Sequence, residues 1–216
     1  MIRHHPDEAM LMAHAAGTLA SGPSLLVSTH LETCASCRSA VRVFEDVAAT
    51  LLLAEAPSEI PDGLFERVVA RTESAMPPAP AYRVTVRPPL PAGTEWPRSL
   101  RYAQVSRWWW MGPGVRWARV RLPYDPAASL FMFRIGAGKC LPPHTHASQE
   151  LTQVLYGAFD DGRAVFGPGD FDAADDAIHH QPVVQAGGEC ICLAALDGRV
   201  VFDSVLAKWA GTAIGL

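Results

Sequence analysis

Gly138-Lys139-Cys140-Leu141-Pro142-Pro143-His144-Thr145-His146-Ala147-Ser148-Gln149-Glu150, closed seven residues on by Gly157, decides how the second half of this chain folds. His144 and His146 are two apart, so on a strand both imidazoles leave the same face. Glu150 lies an even number further on and joins them if strand and turn keep register. Two imidazoles and a carboxylate at one point suit a divalent metal on a β-scaffold. Pro142 and Pro143 restrict the approach, and the two glycines permit turns.

The surroundings of this stretch read as β-structure. Val115–Leu122 largely alternates apolar and polar residues, Leu130–Ile135 follows as another strand, and Gly and Pro turns punctuate the rest as in a sandwich or barrel. Further upstream the character changes. Prolines at 77, 78, 80, 88, 89, 91 and 97 cannot continue a helix or sit in a central strand, so the segment 77–97 reads as a semi-extended linker. Before it the chain is helical. Pro6-Asp7-Glu8 makes a first turn and Gly17 a stop. The turn Ser21-Gly22-Pro23-Ser24 starts a second helix, and a third opens near Cys34 and is interrupted at Pro57. A fourth follows Pro61-Asp62, with Leu64, Phe65, Val68 and Val69 along one stripe. The expected architecture is α+β in two domains. A small helical domain of about four helices over 1–76 is joined by the linker 77–97 to a β-barrel over 98–216.

The helical part carries its own metal-ligand set, His30-Leu31-Glu32-Thr33-Cys34-Ala35-Ser36-Cys37. Two cysteines three apart at a helix start project their sulfurs to one side, and His30 stands on the turn before. Three such ligands leave a tetrahedral zinc site one short. His5 is the first candidate for the fourth, ahead of His4 and His14, because a remote ligand would clip the first helix to the others. A small helical core commonly relies on such a metal. The competing reading is plain packing, with Cys34 and Cys37 as small buried side chains.

These motifs resemble known families. H-x3-C-x2-C on a small helical unit resembles the zinc-binding anti-sigma domain. The run Gly138-x5-His144-x-His146-x3-Glu150-x6-Gly157 resembles the first cupin motif at every spacing. Gly167-Pro168-Gly169-Asp170 resembles the turn of the second cupin motif, where a histidine follows. His179 and His180 both stand in that region, and His180, one residue short of Pro182, is the better match. The combination resembles the ChrR family of anti-sigma factors over nearly the whole chain. The resemblance implies N-terminal zinc on His5, His30, Cys34 and Cys37, and zinc or another divalent metal on His144, His146, Glu150 and His180. It implies an extracytoplasmic-function sigma factor as partner, with Leu64, Phe65, Val68 and Val69 as candidate contacts. It also implies that the helical domain suffices for binding, and that the cupin is needed for release under singlet oxygen or related oxidants.

Composition narrows the alternatives. With 216 residues, 49% of them apolar, the chain can build a packed core, and a net charge of -4 gives no basic footprint for direct nucleic-acid binding. Neither a signal-like N-terminus nor a run of membrane-spanning length is present. Five cysteines in that setting point to a reducing compartment, and the expectation is a cytoplasmic protein without membrane contact. Cys190 and Cys192 should share one strand face as interior packing, with a redox pair as the sharper alternative; Cys140 carries the same ambiguity. Trp108, Trp109, Trp110 and Trp117 read as core or domain-packing residues, since no basic stripe accompanies them. The rival to a regulator is a cupin metalloenzyme of the non-haem dioxygenase type with an accessory zinc module. No catalytic residue beyond the metal donors offers itself.

Overall fold

A computed structural model describes residues 1–73, 87–198 and 200–202. Four helices come first: α1 (Glu8–Ala15), α2 (Ser21–Thr33), α3 (Ala35–Ala54) and α4 (Leu64–Glu73). Asp7 caps α1, its carboxylate accepting from the Met10 N–H at 2.7 Å, and Gly17 supplies the positive φ of 69° that ends it. Ser21-Gly22-Pro23-Ser24 is already helical, because proline is tolerated in a first turn where its N–H would be unpaired. Cys34 caps α3 and the chain breaks before Pro57, as the sequence indicates. No helix among the described residues is long and apolar enough to cross a membrane.

After a 3-10 turn at Arg98–Tyr102 the described residues form twelve strands: β1 (Gln104–Val105), β2 (Trp109–Gly112), β3 (Val115–Leu122), β4 (Asp125–Ile135), β5 (His144–His146), β6 (Glu150–Tyr156), β7 (Phe159–Asp160), β8 (Val165–Phe166), β9 (Phe171–Ala174), β10 (Val183–Val184), β11 (Cys190–Leu196) and β12 (Val200–Phe202). The main sheet is antiparallel in the order β1-β3-β4-β11-β6-β9, with β2 on β3. Facing it are β10-β7-β8 and the pair β12-β5, stitched together by bridges at Cys140–Val183 and His144–His180.

Both faces of the central strands β4, β11 and β6 are buried, and strand alternation sorts their residues. Phe131, Phe133 and Ile135 of β4, Val154 of β6, and Cys190, Cys192 and Ala194 of β11 line the barrel interior. Their neighbours Leu130, Met132, Leu151, Ile191, Leu193 and Ala195 face the other way, into one apolar cluster with Met10, Leu11, Leu25, Leu26, Val27 and Val41. Gly22 lies so close to the sheet that a Cβ there would sit 3.6 Å from Ala195 and 3.7 Å from Leu130. The helices and the barrel therefore share a core.

Two further features differ from the sequence reading. The linker's first part, 77–86, lies outside the described residues, but 87–97 is packed in place. Pro88 is buried, the Arg87 guanidinium donates to the Leu100 carbonyl and lies over the Trp96 ring, and Trp108 donates to the Pro89 carbonyl. Trp109 and Trp110 are 42% and 73% exposed, so they are not core. On β2, which among the described residues pairs with β3 alone, both reach solvent, while Trp108 and Trp117 do pack.

Candidate metal centres

The N-terminal set converges. One donor atom from each of His5, His30, Cys34 and Cys37 lies within 4.8 Å of all the others. His5 Nδ1 is 3.4 Å from Cys34 Sγ and 3.3 Å from Cys37 Sγ, and His30 Nε2 is 3.3 Å from Cys37 Sγ. Zinc bonds of about 2.3 Å to sulfur and 2.0–2.1 Å to nitrogen imply a tetrahedral edge of roughly 3.5 Å, so the spacing fits that ion. The alternatives for the fourth donor go elsewhere: His4 packs on Phe166, and His14 pairs with the Ser24 hydroxyl at 3.1 Å.

The thiols are poised unequally. Burial would raise the Cys34 thiol, but hydrogen bonds from the Ser36 hydroxyl and from Cys37 and Ser36 N–H groups at the α3 N-terminus bring it below the ordinary value. Burial and the neighbouring Cys34 push Cys37 up to about 11. A divalent cation between the two sulfurs removes that conflict by compensating both charges.

His30 is wholly buried, and its other nitrogen fixes its orientation. Nδ1 stands 3.0 Å from the Gly169 carbonyl and 3.2 Å from Gln153 Oε1, both acceptors, so the proton belongs on Nδ1 and the unprotonated Nε2, beside Cys37 Sγ, is left with its lone pair free for a metal. Burial lowers the His30 pKa, which also favours the neutral ring.

In the barrel, His144, Glu150 and His180 converge within 4.8 Å. His144 Nε2 lies 3.2 Å from His180 Nε2 and 3.6 Å from Glu150 Oε2. His144 donates its Nδ1 proton to the Pro142 carbonyl at 2.7 Å, leaving Nε2 as a metal donor; the prolines thereby set the tautomer as well as the turn. Backbone bonds in both directions between His144 and His180, each 3.2 Å, hold the strands in register. His180 is buried and His179 exposed, so the geometry brings His180 to the site. His146 closes β5 opposite Val200, but its side chain lies outside the described residues.

Sequence reasoning missed the groups around this set. Asp161 Oδ2 is 3.7 Å from His180 Nδ1, and Arg163 bonds both Asp161 and Asp172, the latter at 2.8 and 2.9 Å. Burial pushes the Asp172 carboxyl up to about 6, against the pull of Arg163. Thr152 donates to Glu150 at 3.3 Å. An Asp-Gly-Arg turn carries no distinctive sequence signal, so only the fold reveals it. Cys190 and Cys192 do share the interior face, their sulfurs 3.5 Å apart, and line a cavity of about 30 Å³ beside Glu150 and His180. Cys140 sits half-buried and accepts from the Gln181 amide at 3.3 Å.

The candidate partner face is open. Only the first part of α3 is buried, at Cys37 and Val41; beyond it Val43, Val47, Leu51, Leu52 and Leu53 are exposed, as are Ile60, Leu64, Phe65 and Val68. Val69 is half-buried.

Comparison with known proteins gives consistent results. Residues 98–197 match the family model of the ChrR cupin-like domain. The anti-sigma-E factor ChrR of Cereibacter sphaeroides is 40% identical over 208 residues, covering 96% of this chain and 95% of that protein. A crystal structure of Rhodobacter sphaeroides SigE in complex with the anti-sigma ChrR contains a similar chain, with a TM-score of 0.70 and 36% identity over 91% of this chain and 100% of that one.

Proposed function

This chain belongs to the ChrR family of anti-sigma factors, regulators rather than enzymes, and from that premise we propose how it works. It captures an extracytoplasmic-function sigma factor through the exposed apolar face of α3 and α4. It releases that factor when singlet oxygen or a related oxidant acts at the cupin. The observation that carries this reading is the face itself. Val43, Val47 and Leu51 follow at four-residue spacing along one side of α3, and Phe65 and Val68 continue the apolar surface on α4. A surface this apolar on a water-facing helix pair marks a partner site.

In this reading His5, His30, Cys34 and Cys37 hold zinc, which pins the N-terminal segment, α2 and α3 into one unit and so fixes where α3 points. His144, His146, Glu150 and His180 hold zinc or another divalent metal. Thiol ligands of this kind persist in reducing surroundings, which supports a cytoplasmic location. Release requires the oxidised form to bind sigma more weakly, and a hundredfold change corresponds to about 2.7 kcal/mol.

Titration of a labelled extracytoplasmic-function sigma factor from the same genome tests the face. Leu51→Asp and Phe65→Asp each place a charge in a desolvated contact and are expected to weaken capture by about two orders of magnitude. Unchanged affinity in both variants would remove this face from the account.

A further inference from the structure

The barrel reaches into the N-terminal metal centre through one turn. Gly167-Pro168-Gly169-Asp170 links β8 to β9 and is bonded to β6 in both directions, Gly169 N–H to the Val154 carbonyl at 2.9 Å and Val154 N–H to the Asp170 carbonyl at 3.0 Å. The Asp170 side chain, 4% exposed, accepts three backbone N–H bonds: from Gly167 at 2.8 Å, from Arg3 at 2.6 Å and from His4 at 3.0 Å. Phe171 N–H donates to the His4 carbonyl at 3.1 Å, so residues 3–4 are clamped to the start of β9, and His5 follows directly. Gly169, at a φ of 89°, approaches Ile2 so closely that a Cβ would lie 2.8 Å from that side chain. The same glycine's carbonyl takes the Nδ1 proton of His30, beside Gln153.

Two of the four donors are thus oriented from the barrel. We infer that Asp170 and the turn it closes are a positioning device through which the cupin sets how firmly the N-terminal metal is held. The device sits at a junction of the two centres. Gln153 is on β6 three residues from Glu150, roughly 10 Å along the strand, and the two point to opposite faces, one to His30 and one into the barrel. Asp170 and Gln153 are positioning residues, since neither supplies a metal donor. Groups that orient a ligating histidine typically change metal affinity by about 10–100-fold when removed. The inference rests on the N-terminal metal reading proposed above.

The test uses the full-length chain loaded with Co²⁺, whose thiolate-to-metal absorption band reports the N-terminal centre and must vanish in Cys34→Ala. The decay of that band after adding excess EDTA is then followed. Asp170→Ala is expected to speed release at least about tenfold, and Gln153→Ala in the same direction by less, because the Gly169 carbonyl remains. Asp170→Asn keeps shape and volume but turns an amide donor towards an N–H donor, so it too releases faster, and it serves if the alanine variant does not fold. Phe133→Leu, inside the barrel on the other face of the sheet, reports what general loosening does and should stay near the wild-type rate. Decay in the folded Asp170 variants no faster than in Phe133→Leu would overturn the inference while leaving the metal site standing. A band absent from the wild type, or kept in Cys34→Ala, would overturn the metal site itself and the inference with it.

Discussion

Leu26→Ala tests whether helices and barrel fold as one body. Leu26 is fully buried and lies one turn beyond Gly22 on the face of α2 that meets β4 and β11. Removing its isobutyl group loses transfer free energy and leaves a cavity between two rigid layers, at a cost of about 3 kcal/mol. For a chain of this size each kcal/mol lowers Tm by about 2–4 °C, so the expected fall is roughly 6–12 °C. Two probes separate the halves. The helical far-UV signal comes from α1 to α4, and all six tryptophans lie at or beyond Trp96. With metal and reductant held constant, both signals should shift together in the variant. Early loss of helicity with the tryptophan transition left at its wild-type temperature would refute the shared core and restore two independent domains.

Cys34→Ala and Cys37→Ala should each lower bound zinc by one equivalent per chain and abolish sigma capture, because binding free energy at such a site is folding free energy; elemental analysis with a binding assay checks both. Asp170 predicts an acid limb. Burial would raise its carboxyl, but three N–H donors and His4 hold it below the ordinary range. Its contribution is therefore complete above the unfolded value of about 3.9 and is lost as pH falls through the depressed folded value. Urea unfolding between neutral pH and pH 3 should show a shallower acid loss in Asp170→Asn than in wild type; identical slopes would contradict this. Gly157→Ala should be the most damaging single methyl in the barrel. A Cβ there would lie 2.0 Å from the Glu189 carbonyl oxygen at a φ of 71°, prising β6 from β11 well beyond the ~1–2 kcal/mol of the backbone conformation alone. A wild-type urea midpoint would count against that geometry.

Much of this was legible in the residues. Pro57 and Gly17 end helices where their chemistry requires it, and the donor spacings announce two clusters that could hold a metal because strand and helix periodicities carry donors to fixed faces. What stayed hidden was long-range. Leu130-Phe131-Met132-Phe133 and Ile191-Cys192-Leu193-Ala194-Ala195 are continuous apolar runs, a pattern that signals strands buried on both faces. That pattern implies a cover for the outer face, and the cover is α2. Proline density suggested a semi-extended linker, yet prolines also rigidify; Trp108 bonds the Pro89 carbonyl, and just beyond residue 97 the Glu32 carboxylate accepts from the Arg98 and Ser99 N–H groups. Trp109 and Trp110 were misread because hydrophobicity alone does not tell a sheet edge from its centre. The clamp at Asp170 has no sequence signature, since two of its three partners are the backbone N–H groups of Arg3 and His4, 167 and 166 residues away.

The most direct measurement is transcription by core RNA polymerase from a promoter read by the partner sigma factor, with the purified chain added and singlet oxygen generated by light and a photosensitiser. The account predicts that wild-type chain silences transcription in the dark and that illumination restores it. Glu150→Ala and His180→Ala should silence equally well in the dark and stay silent in the light. Cupin variants that fail to silence in the dark, or that release sigma as readily as wild type in the light, would contradict the division between a capturing helical face and a sensing barrel.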